Sequence, residues 1–105
     1  MNYPTPTFIR NLTLCSLVGK YADELDFLVG PILMKEYDGP REGTKEGNEL
    51  IEYIVAKFDV DLDDCVYDQI SMFDGRFEND PEWFDEEEHC EKDRIRDQVL
   101  ELIGV

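Results

Sequence analysis

The chain has 105 residues, 42% of them hydrophobic and 11% aromatic, which is enough apolar material for one packed domain and excludes a disordered tail. Its 26 acidic and 10 basic residues give a formal net charge of −16. Such a polyanion is repelled by the phosphates of nucleic acids and by anionic membrane leaflets, so neither is expected as a direct partner.

The first predicted helix begins at Thr5 as N-cap, with Pro6 at its first position, and ends at Gly19 as C-cap. Its predicted core stripe consists of Phe8, Ile9, Leu12 and Cys15. The helix is therefore expected to pack in the core of the domain.

A second helix is predicted from about Asp23, with Leu25, Leu28 and Val29 as its apolar residues. Residues 30–31, Gly-Pro, interrupt it because proline lacks the amide donor and clashes with the preceding turn. Residues 32–37 fit either a helical turn or a short strand. Residues 38–43 contain two glycines and a proline, a composition that predicts a loop.

Two helices with clear 3.6-residue periodicity follow. The first starts at Thr44 and places Leu50, Ile51, Ile54 and Phe58 on one face, with Glu46, Glu49 and Glu52 outside it. The second runs from about residue 62 to residue 73, where the dipeptide Asp-Gly marks its end. Its stripe consists of Leu62, Cys65, Val66, Ile70 and Phe73, with Asp64 and Asp68 pointing to solvent.

The last predicted helix begins with Asp80 as N-cap and Pro81 at its first position, and ends before Gly104. Its closing apolar positions are Ile95, Val99, Leu102 and Ile103. Between Phe84 and Ile95, acidic residues replace the apolar stripe, so this stretch is expected on the surface. If helical, it places one carboxylate per roughly 2.4 Å of axis, close to the one charge per roughly 1.7 Å of duplex DNA.

Cysteine usage and the N-terminus indicate an intracellular protein. Cys15, Cys65 and Cys90 are odd in number and widely spaced, which favours reduced thiols over a disulfide framework. Cys90 follows His89, but structural zinc sites have paired ligands a few residues apart, so no zinc site is expected. The chain shows no signal peptide and no run near the roughly 20 apolar residues of a membrane span. A soluble, cytoplasmic protein is expected.

Most of the negative charge lies in one third of the chain. Residues 1–58 carry a net charge of −3, residues 59–93 carry −13, and residues 94–105 are neutral overall. A charge run is often only a solvated helix face. Solubility of a small domain needs a net charge of only about 2 to 8, however, so the excess favours binding of a basic partner, accelerated by electrostatic steering.

In size, charge density and single-domain build, the chain resembles the small acidic DNA-mimic inhibitors of phages and mobile elements, of the anti-CRISPR or anti-restriction type. The resemblance is carried by the segment from Asp59 to Asp93 and by no diagnostic motif. It implies a non-enzymatic protein without catalytic residues. Such a protein would occupy the DNA- or RNA-binding surface of a host defence complex, such as a CRISPR effector or a restriction enzyme.

Aromatic residues interleaved with the acids are candidate interface anchors, because aromatic side chains dominate binding hot spots. Tyr67 and Trp83 are expected on the surface, whereas Phe77 and Phe84 are expected in the core. The candidate partner-binding residues are Asp61, Asp63, Asp64, Tyr67, Asp68, Asp74, Glu78, Glu82, Trp83, Asp85, Glu86, Glu87, Glu88 and Glu91.

A calcium loop fits the sequence poorly. Asp59, Asp61 and Asp63 have the spacing of the first ligands of an EF-hand. Asp64, however, stands where that loop needs glycine, and Ile70 stands where it needs a bidentate glutamate. No metal site and no cofactor are expected.

The sequence thus predicts a mainly α-helical single domain, residues 1–105, of about five helices with at most one short β element. The leading functional hypothesis is a non-enzymatic inhibitor that competes with DNA or RNA for a basic surface. One alternative is an immunity-type protein that neutralises a basic partner, such as a nuclease toxin, without DNA mimicry. A second alternative is a small carboxylate- or metal-dependent enzyme.

Overall fold

The structure is a computed structural model that describes residues 3–25, 45–84, 87 and 90–104. Residues in these ranges form helices and turns, with no strand among them. The helices are α1 at Pro6–Lys20, α2 at Lys45–Phe58, α3 at Leu62–Ser71, the short α4 at Asp74–Phe77, and α5 at Glu91–Ile103. The predicted mainly α-helical fold is confirmed.

Helix α1 lies at the centre of the bundle. It packs against α2, α3 and α5, and α3 also packs against α5. The core consists of buried aliphatic residues from these four helices together with Leu25, Phe77 and Trp83. Helix α1 contains no acidic residue, unlike the other four helices, which fits its central position because burying an unpaired charge is costly.

The predicted start of α1 is confirmed and its predicted end is wrong. The Oγ1 atom of Thr5 accepts a hydrogen bond of 3.1 Å from a backbone N–H in the first turn. Pro6 occupies the first helical position, where a missing N–H leaves no hydrogen bond unmade. The helix continues through Gly19 to Lys20, and Tyr21 is the C-cap. A glycine is not needed there because the Tyr21 N–H reaches a carbonyl of the last turn.

The predicted core stripe of α1 is largely wrong. Ile9 is buried as expected, but Phe8 and Cys15 are exposed and Leu12 is only half-buried. The buried residues of α1 are Ile9, Arg10, Thr13, Leu14, Leu17 and Val18. Apolar residues occur on both sides of this helix, so its periodicity does not decide which side is buried. The contacts with three other helices decide it.

Two polar side chains occupy the buried face of α1, and hydrogen bonds make this possible. The Thr13 hydroxyl donates to the Ile9 carbonyl over 2.8 Å. The Arg10 Nε donates to the Oδ1 atom of Asn48 in α2 over 3.0 Å. The Nδ2 atom of Asn48 in turn donates to the Leu102 carbonyl over 3.1 Å, so one amide links α1, α2 and α5.

The predicted faces of α2 are confirmed at most positions, but Phe58 and Glu46 are each half-buried, and the predicted start at Thr44 lies outside the described residues. Leu50, Ile51 and Ile54 are buried, whereas Glu49 and Glu52 are exposed. The helix is followed by Asp59 in the left-handed conformation, with φ of 52°. The N–H of the next residue donates to a carbonyl five positions back. This is the Schellman arrangement, with aspartate in the place that glycine usually takes.

Helix α3 is also confirmed on its buried and exposed faces, but its end is two residues earlier than predicted. Leu62, Val66 and Ile70 are buried, and Asp64 and Asp68 are exposed. The Asp-Gly dipeptide at residues 74–75 was expected to terminate a helix, and it instead opens the short helix α4 after a turn. Asp74 suits this position because a carboxylate in the first turn of a helix interacts favourably with the helix dipole.

The prediction of one long helix from Asp80 is wrong. Residues 81–84 form turns, and α5 begins only at Glu91. The Asp80 side chain accepts a hydrogen bond from the N–H of Glu82, and the Glu82 carbonyl accepts one from the N–H of Glu91. The turns at residues 80–84 therefore lie beside the start of α5. A helix from Asp80 gains little from packing at residues 82–84, where the side chain that is buried, Trp83, is reached through these turns. The predicted end before Gly104 is confirmed, and Gly104 is the C-cap with φ of 89°.

Several predictions fall on residues outside the described ranges. For the second predicted helix, residues 22–25 are helical and Leu25 is buried. Leu28 and Val29, the Gly-Pro interruption, the candidate β element at residues 32–37 and the loop at residues 38–43 all lie outside the described residues.

Candidate interface for a basic partner

The structure distributes the candidate partner-binding residues over three places. Asp61, Asp64 and Asp68 line a groove between α1 and α3. A second group lies where α3 and α4 meet α5 and consists of Asp63, Tyr67, Asp74 and Glu91. Glu78, Glu82 and Glu87 are exposed in the turns before α5. Trp83 is in the core, and Asp85, Glu86 and Glu88 lie outside the described residues.

The basic residues of α5 already neutralise part of the predicted acidic surface. Arg96 lies 3.4 Å from a carboxylate oxygen of Asp63, 3.7 Å from one of Asp93 and 3.4 Å from one of Asp97. Arg94 pairs with Glu91 over 2.9 Å. These acids are therefore less available to a partner than their sequence clustering predicts, because a partner's cation would compete with one already in place.

Lys92 connects α5 to α4 and to two aromatic rings. Its Nζ atom lies 3.0 Å from an oxygen of Asp74. The same atom lies 5.0 Å from the ring centroid of Phe84 and 5.6 Å from that of Tyr67, which are cation–π distances. Burial raises the pKa of Tyr67. Tyr67, predicted as a surface anchor, is half-buried and engaged with Lys92.

The predicted positions of Trp83 and Phe84 are both wrong. Trp83 has 0% exposure and Phe84 has 40%, whereas Phe77 is buried as expected. The Trp83 ring stacks on Tyr3 with centroids 5.0 Å apart and lies 4.7 Å from the ring of Phe77. Its Nε1 atom donates to Asp74 over 3.0 Å. The turns at residues 81–84 direct Trp83 into the core, so it is not an interface anchor.

The N-terminal segment fixes these turns. The Tyr3 hydroxyl donates to the Oδ2 atom of Asp80 over 2.5 Å, and its ring contacts Phe77 edge-on at 4.8 Å. This hydrogen bond is the main cause that raises the pKa of Tyr3 to about 12. The phenol is therefore protonated at neutral pH and holds the Asp80 turn against the bundle.

The groove between α1 and α3, here called the acidic groove, collects carboxylates from two sources. Its volume is about 360 Å³, and its lining residues include Lys20, Asp59, Asp61, Asp64 and Asp68. The left-handed turn at the end of α2 brings Asp59 to the groove. The remaining three aspartates come from the N-cap and the exposed face of α3, where Asp61 caps the helix by accepting from the N–H of Asp64.

The acids in the groove repel one another. The neighbouring carboxylate of Asp61 is the largest cause that raises the pKa of Asp64, followed by burial, with smaller contributions from Asp63 and Asp68. Among the described residues, none forms an ion pair with Asp61, Asp64 or Asp68 within 4.0 Å. Lys20 also lines the groove, and its Nζ atom lies over the Tyr21 ring at 5.5 Å. The groove therefore keeps an excess of negative charge.

The groove also contains Cys65 and two of the EF-hand-like aspartates. Burial raises the pKa of the Cys65 thiol, so this thiol is protonated and weakly nucleophilic at neutral pH. Of the EF-hand-like set, Asp59 and Asp61 line the groove but Asp63 pairs with Arg96 on the other side of α3. Among the described residues, no group of three or more potential ligands is arranged to hold a metal ion.

Sequence reasoning missed several residues of this surface. Lys20 and Asp59 line the groove, and Phe8 and Met72 are exposed at the opposite ends of α1 and α3 from those that form the groove. Asp59 belongs to the predicted acidic segment, but the dipeptide Asp-Val does not indicate the left-handed backbone conformation of Asp59. Phe8 was expected in the core because its spacing from Leu12 and Cys15 matches a helical stripe. Because α1 carries apolar residues on both sides, the sequence contains no signal that decides the exposure of Phe8.

Comparison of the chain with protein-family models, with curated proteins and with solved structures finds no match. None of the helices within the described ranges has both the length and the apolar character that a membrane span requires.

Proposed function

We propose that this protein is a non-enzymatic inhibitor that binds a basic, nucleic-acid-binding surface of a partner protein and competes there with DNA or RNA. The observation that carries the proposal is the acidic groove. It gathers Asp59, Asp61, Asp64 and Asp68 without neutralising ion pairs among the described residues. A cationic partner offsets the repulsion among these carboxylates, and this makes the free energy of binding more favourable.

The contrast with α5 supports the same interpretation. Lys92, Arg94 and Arg96 of α5 pair with Asp74 of α4, Glu91 of α5 and Asp63 of α3, respectively, whereas among the described residues the groove acids Asp61, Asp64 and Asp68 have no such pair. A protein that needed only solubility has no reason to hold three carboxylates on one exposed stripe, where each like-charged pair destabilises the helix by about 0.2–0.5 kcal/mol.

The test compares two variants of equal net charge. Asp61→Asn/Asp64→Asn/Asp68→Asn removes three charges from the groove, and asparagine at residue 61 retains the N-cap. Glu49→Gln/Glu52→Gln/Glu101→Gln removes three charges from exposed positions outside the groove. Each protein is immobilised at low salt, and basic proteins of the native host are captured. A partner that fits the proposal is retained by the wild type and the control and lost by the groove variant.

The captured partner is then loaded with a fluorescent duplex or RNA, and the wild-type protein is added. Displacement of the nucleic acid supports the inhibitor. Simultaneous binding of both contradicts competition and favours the immunity-type alternative. That alternative has one structural observation in its favour: residues 81–84 form turns, so the helical row of carboxylates with DNA-like spacing is interrupted. Equal retention by both variants would refute a role for the groove.

A further inference from the structure

The surface shared by α1 and α3 changes character along its length. Ser16 and Lys20 of α1 line the acidic groove together with Asp61 and Asp68 of α3. At the other end of the same pair of helices, the ring of Phe8 contacts the ring of Phe73, with centroids 5.8 Å apart. The two helices therefore run antiparallel, with the acidic groove at one end of the pair and this aromatic contact at the other.

The far end of that surface is apolar and exposed. Phe8 is 47% exposed and Met72 is 70% exposed, the two highest values among the exposed large hydrophobic side chains of the described residues. On α3, Met72 follows Asp61, Asp64 and Asp68 at spacings of three or four residues, so all four lie on one side of the helix. Met72 is about 6 Å along the helix axis from Asp68.

The outward side of α1 carries no charge between the apolar end and the groove. It presents Phe8, Leu12, Cys15 and Gly19, which recur at helical spacing. At the apolar end, the Arg76 guanidinium lies 5.4 Å from the centroid of the Phe73 ring, so a cation of this chain already lies there. The surface thus favours a partner that is cationic at one end and apolar at the other.

We infer that the basic partner docks along this α1–α3 surface with a protein segment of matching polarity. Lysine or arginine side chains of the segment enter the acidic groove, and apolar side chains at its other end pack on Phe8 and Met72. The inference rests on the proposed function and specifies its partner. Exposed aromatic and methionine side chains are typical of protein interfaces, and a polyamine or another polycation without apolar groups would leave them uncovered.

Charged and apolar contacts affect different rates. Charges in a groove accelerate association and make it depend on salt, whereas buried apolar anchors slow dissociation. The acidic groove is therefore expected to set how fast the partner arrives, and Phe8 and Met72 are expected to set how long it stays.

Two synthetic helical peptides probe this surface. Each has about 12 residues, to match the roughly 18 Å of α1 between Phe8 and Lys20. The first carries arginines in one half and leucines in the other, and the second replaces the leucines by glutamines. Stopped-flow anisotropy at several salt concentrations gives both rate constants. We expect the first peptide to bind at least about tenfold more tightly, through slower dissociation, because it buries leucine side chains.

Variants assign the effect to the surface. Phe8→Gln/Met72→Gln is expected to abolish the preference for the leucine peptide and to leave binding of the glutamine peptide unchanged. Tyr53→Gln removes an exposed aromatic residue of α2 outside this surface and is expected to retain the preference. The groove variant Asp61→Asn/Asp64→Asn/Asp68→Asn is expected to slow association of both peptides and to reduce its salt dependence. Circular dichroism and the fluorescence of Trp83 check that each variant is folded.

The outcomes separate the inference from the proposed function. If Phe8→Gln/Met72→Gln keeps the full preference, docking on the apolar end is refuted while the groove can still bind a basic partner. If the groove variant binds both peptides as the wild type does, the proposed function fails. If sedimentation shows a wild-type dimer that this apolar double variant dissociates, a second copy of the chain occupies the surface and the inference is overturned.

Discussion

At the residue scale, Asp64 shows what the acidic groove costs the folded protein. Its carboxyl group lies near those of Asp61, Asp63 and Asp68, and this proximity raises its pKa above the ordinary value of 3.8. Between the ordinary and the raised pKa, the folded chain binds more protons than the unfolded chain. The free energy of unfolding therefore falls as the pH rises through this window, and below 3.8 the penalty disappears because both states are protonated.

Replacing Asp64 by asparagine is expected to stabilise the protein at pH 7, because the substitution removes one charge from a repelling set. The gain should shrink as the pH falls through the raised pKa toward 3.8 and be lost below 3.8, where the carboxyl is protonated in both the folded and the unfolded wild type. Urea unfolding at a series of pH values measures it, with Glu49→Gln on the exposed face of α2 as the control. A variant less stable than the wild type at pH 7 would contradict strong repulsion in the groove.

At the scale of elements, Asp74 joins three parts of the chain that local sequence does not connect. It lies in the first turn of α4, accepts from the Trp83 indole in the following turns, and pairs with Lys92 of α5. Since Trp83 is fully buried, its N–H has no access to water. The carboxylate thus satisfies a donor that would otherwise be buried without a partner.

Asp74→Ala is therefore expected to lower the free energy of unfolding by about 1–3 kcal/mol, the range for a buried polar group left unsatisfied. Asp74→Asn is the matched control, since the amide oxygen can still accept from Trp83 while the ion pair with Lys92 is lost. Chemical denaturation followed by fluorescence is a direct readout, because Trp83 is the only tryptophan of the chain. If both variants lose the same free energy of unfolding, the loss comes from the ion pair with Lys92 and not from the hydrogen bond to the Trp83 indole.

At the scale of the whole molecule, the charge of −16 has two consequences that differ in sign. It attracts cationic partners, and it opposes the compact state because like charges are closer together in the folded chain. The ion pairs of α5 offset part of this repulsion on one side of α3, and the acidic groove retains it on the other. Dissolved salt screens both effects over roughly 10 Å at 0.1 M.

The free energy of unfolding is expected to rise as sodium chloride increases from about 0.02 M to about 0.5 M, since screening weakens the repulsion more than the exposed ion pairs. Urea midpoints at each concentration measure this, and chloride is used because sulfate would stabilise the fold by exclusion. The slope should be smaller in the groove variant Asp61→Asn/Asp64→Asn/Asp68→Asn than in the wild type. A midpoint that falls with salt would show that the ion pairs dominate.

The sequence by itself determined the helical class, the faces of α2 and α3, the caps at Thr5 and Gly104, and the concentration of acids after residue 58. These features depend on neighbours within about one or two turns, which periodicity and capping preferences describe well. The single-domain organisation and the function remain predictions.

Only the tertiary structure decided which side of α1 is buried and that Trp83 lies in the core and Phe8 on the surface. It also decided which of the described acids form ion pairs and which do not. Asp63 and Asp64 are adjacent in sequence, yet one pairs with Arg96 and the other lines the acidic groove. Adjacent residues on a helix point about 100° apart, so Asp63 reaches Arg96 of α5 whereas Asp64 lines the groove with α1. A count of charges along the chain does not show which acids form ion pairs. The pair of Asp63 with Arg96 requires contact between two helices that lie about 30 residues apart in the sequence.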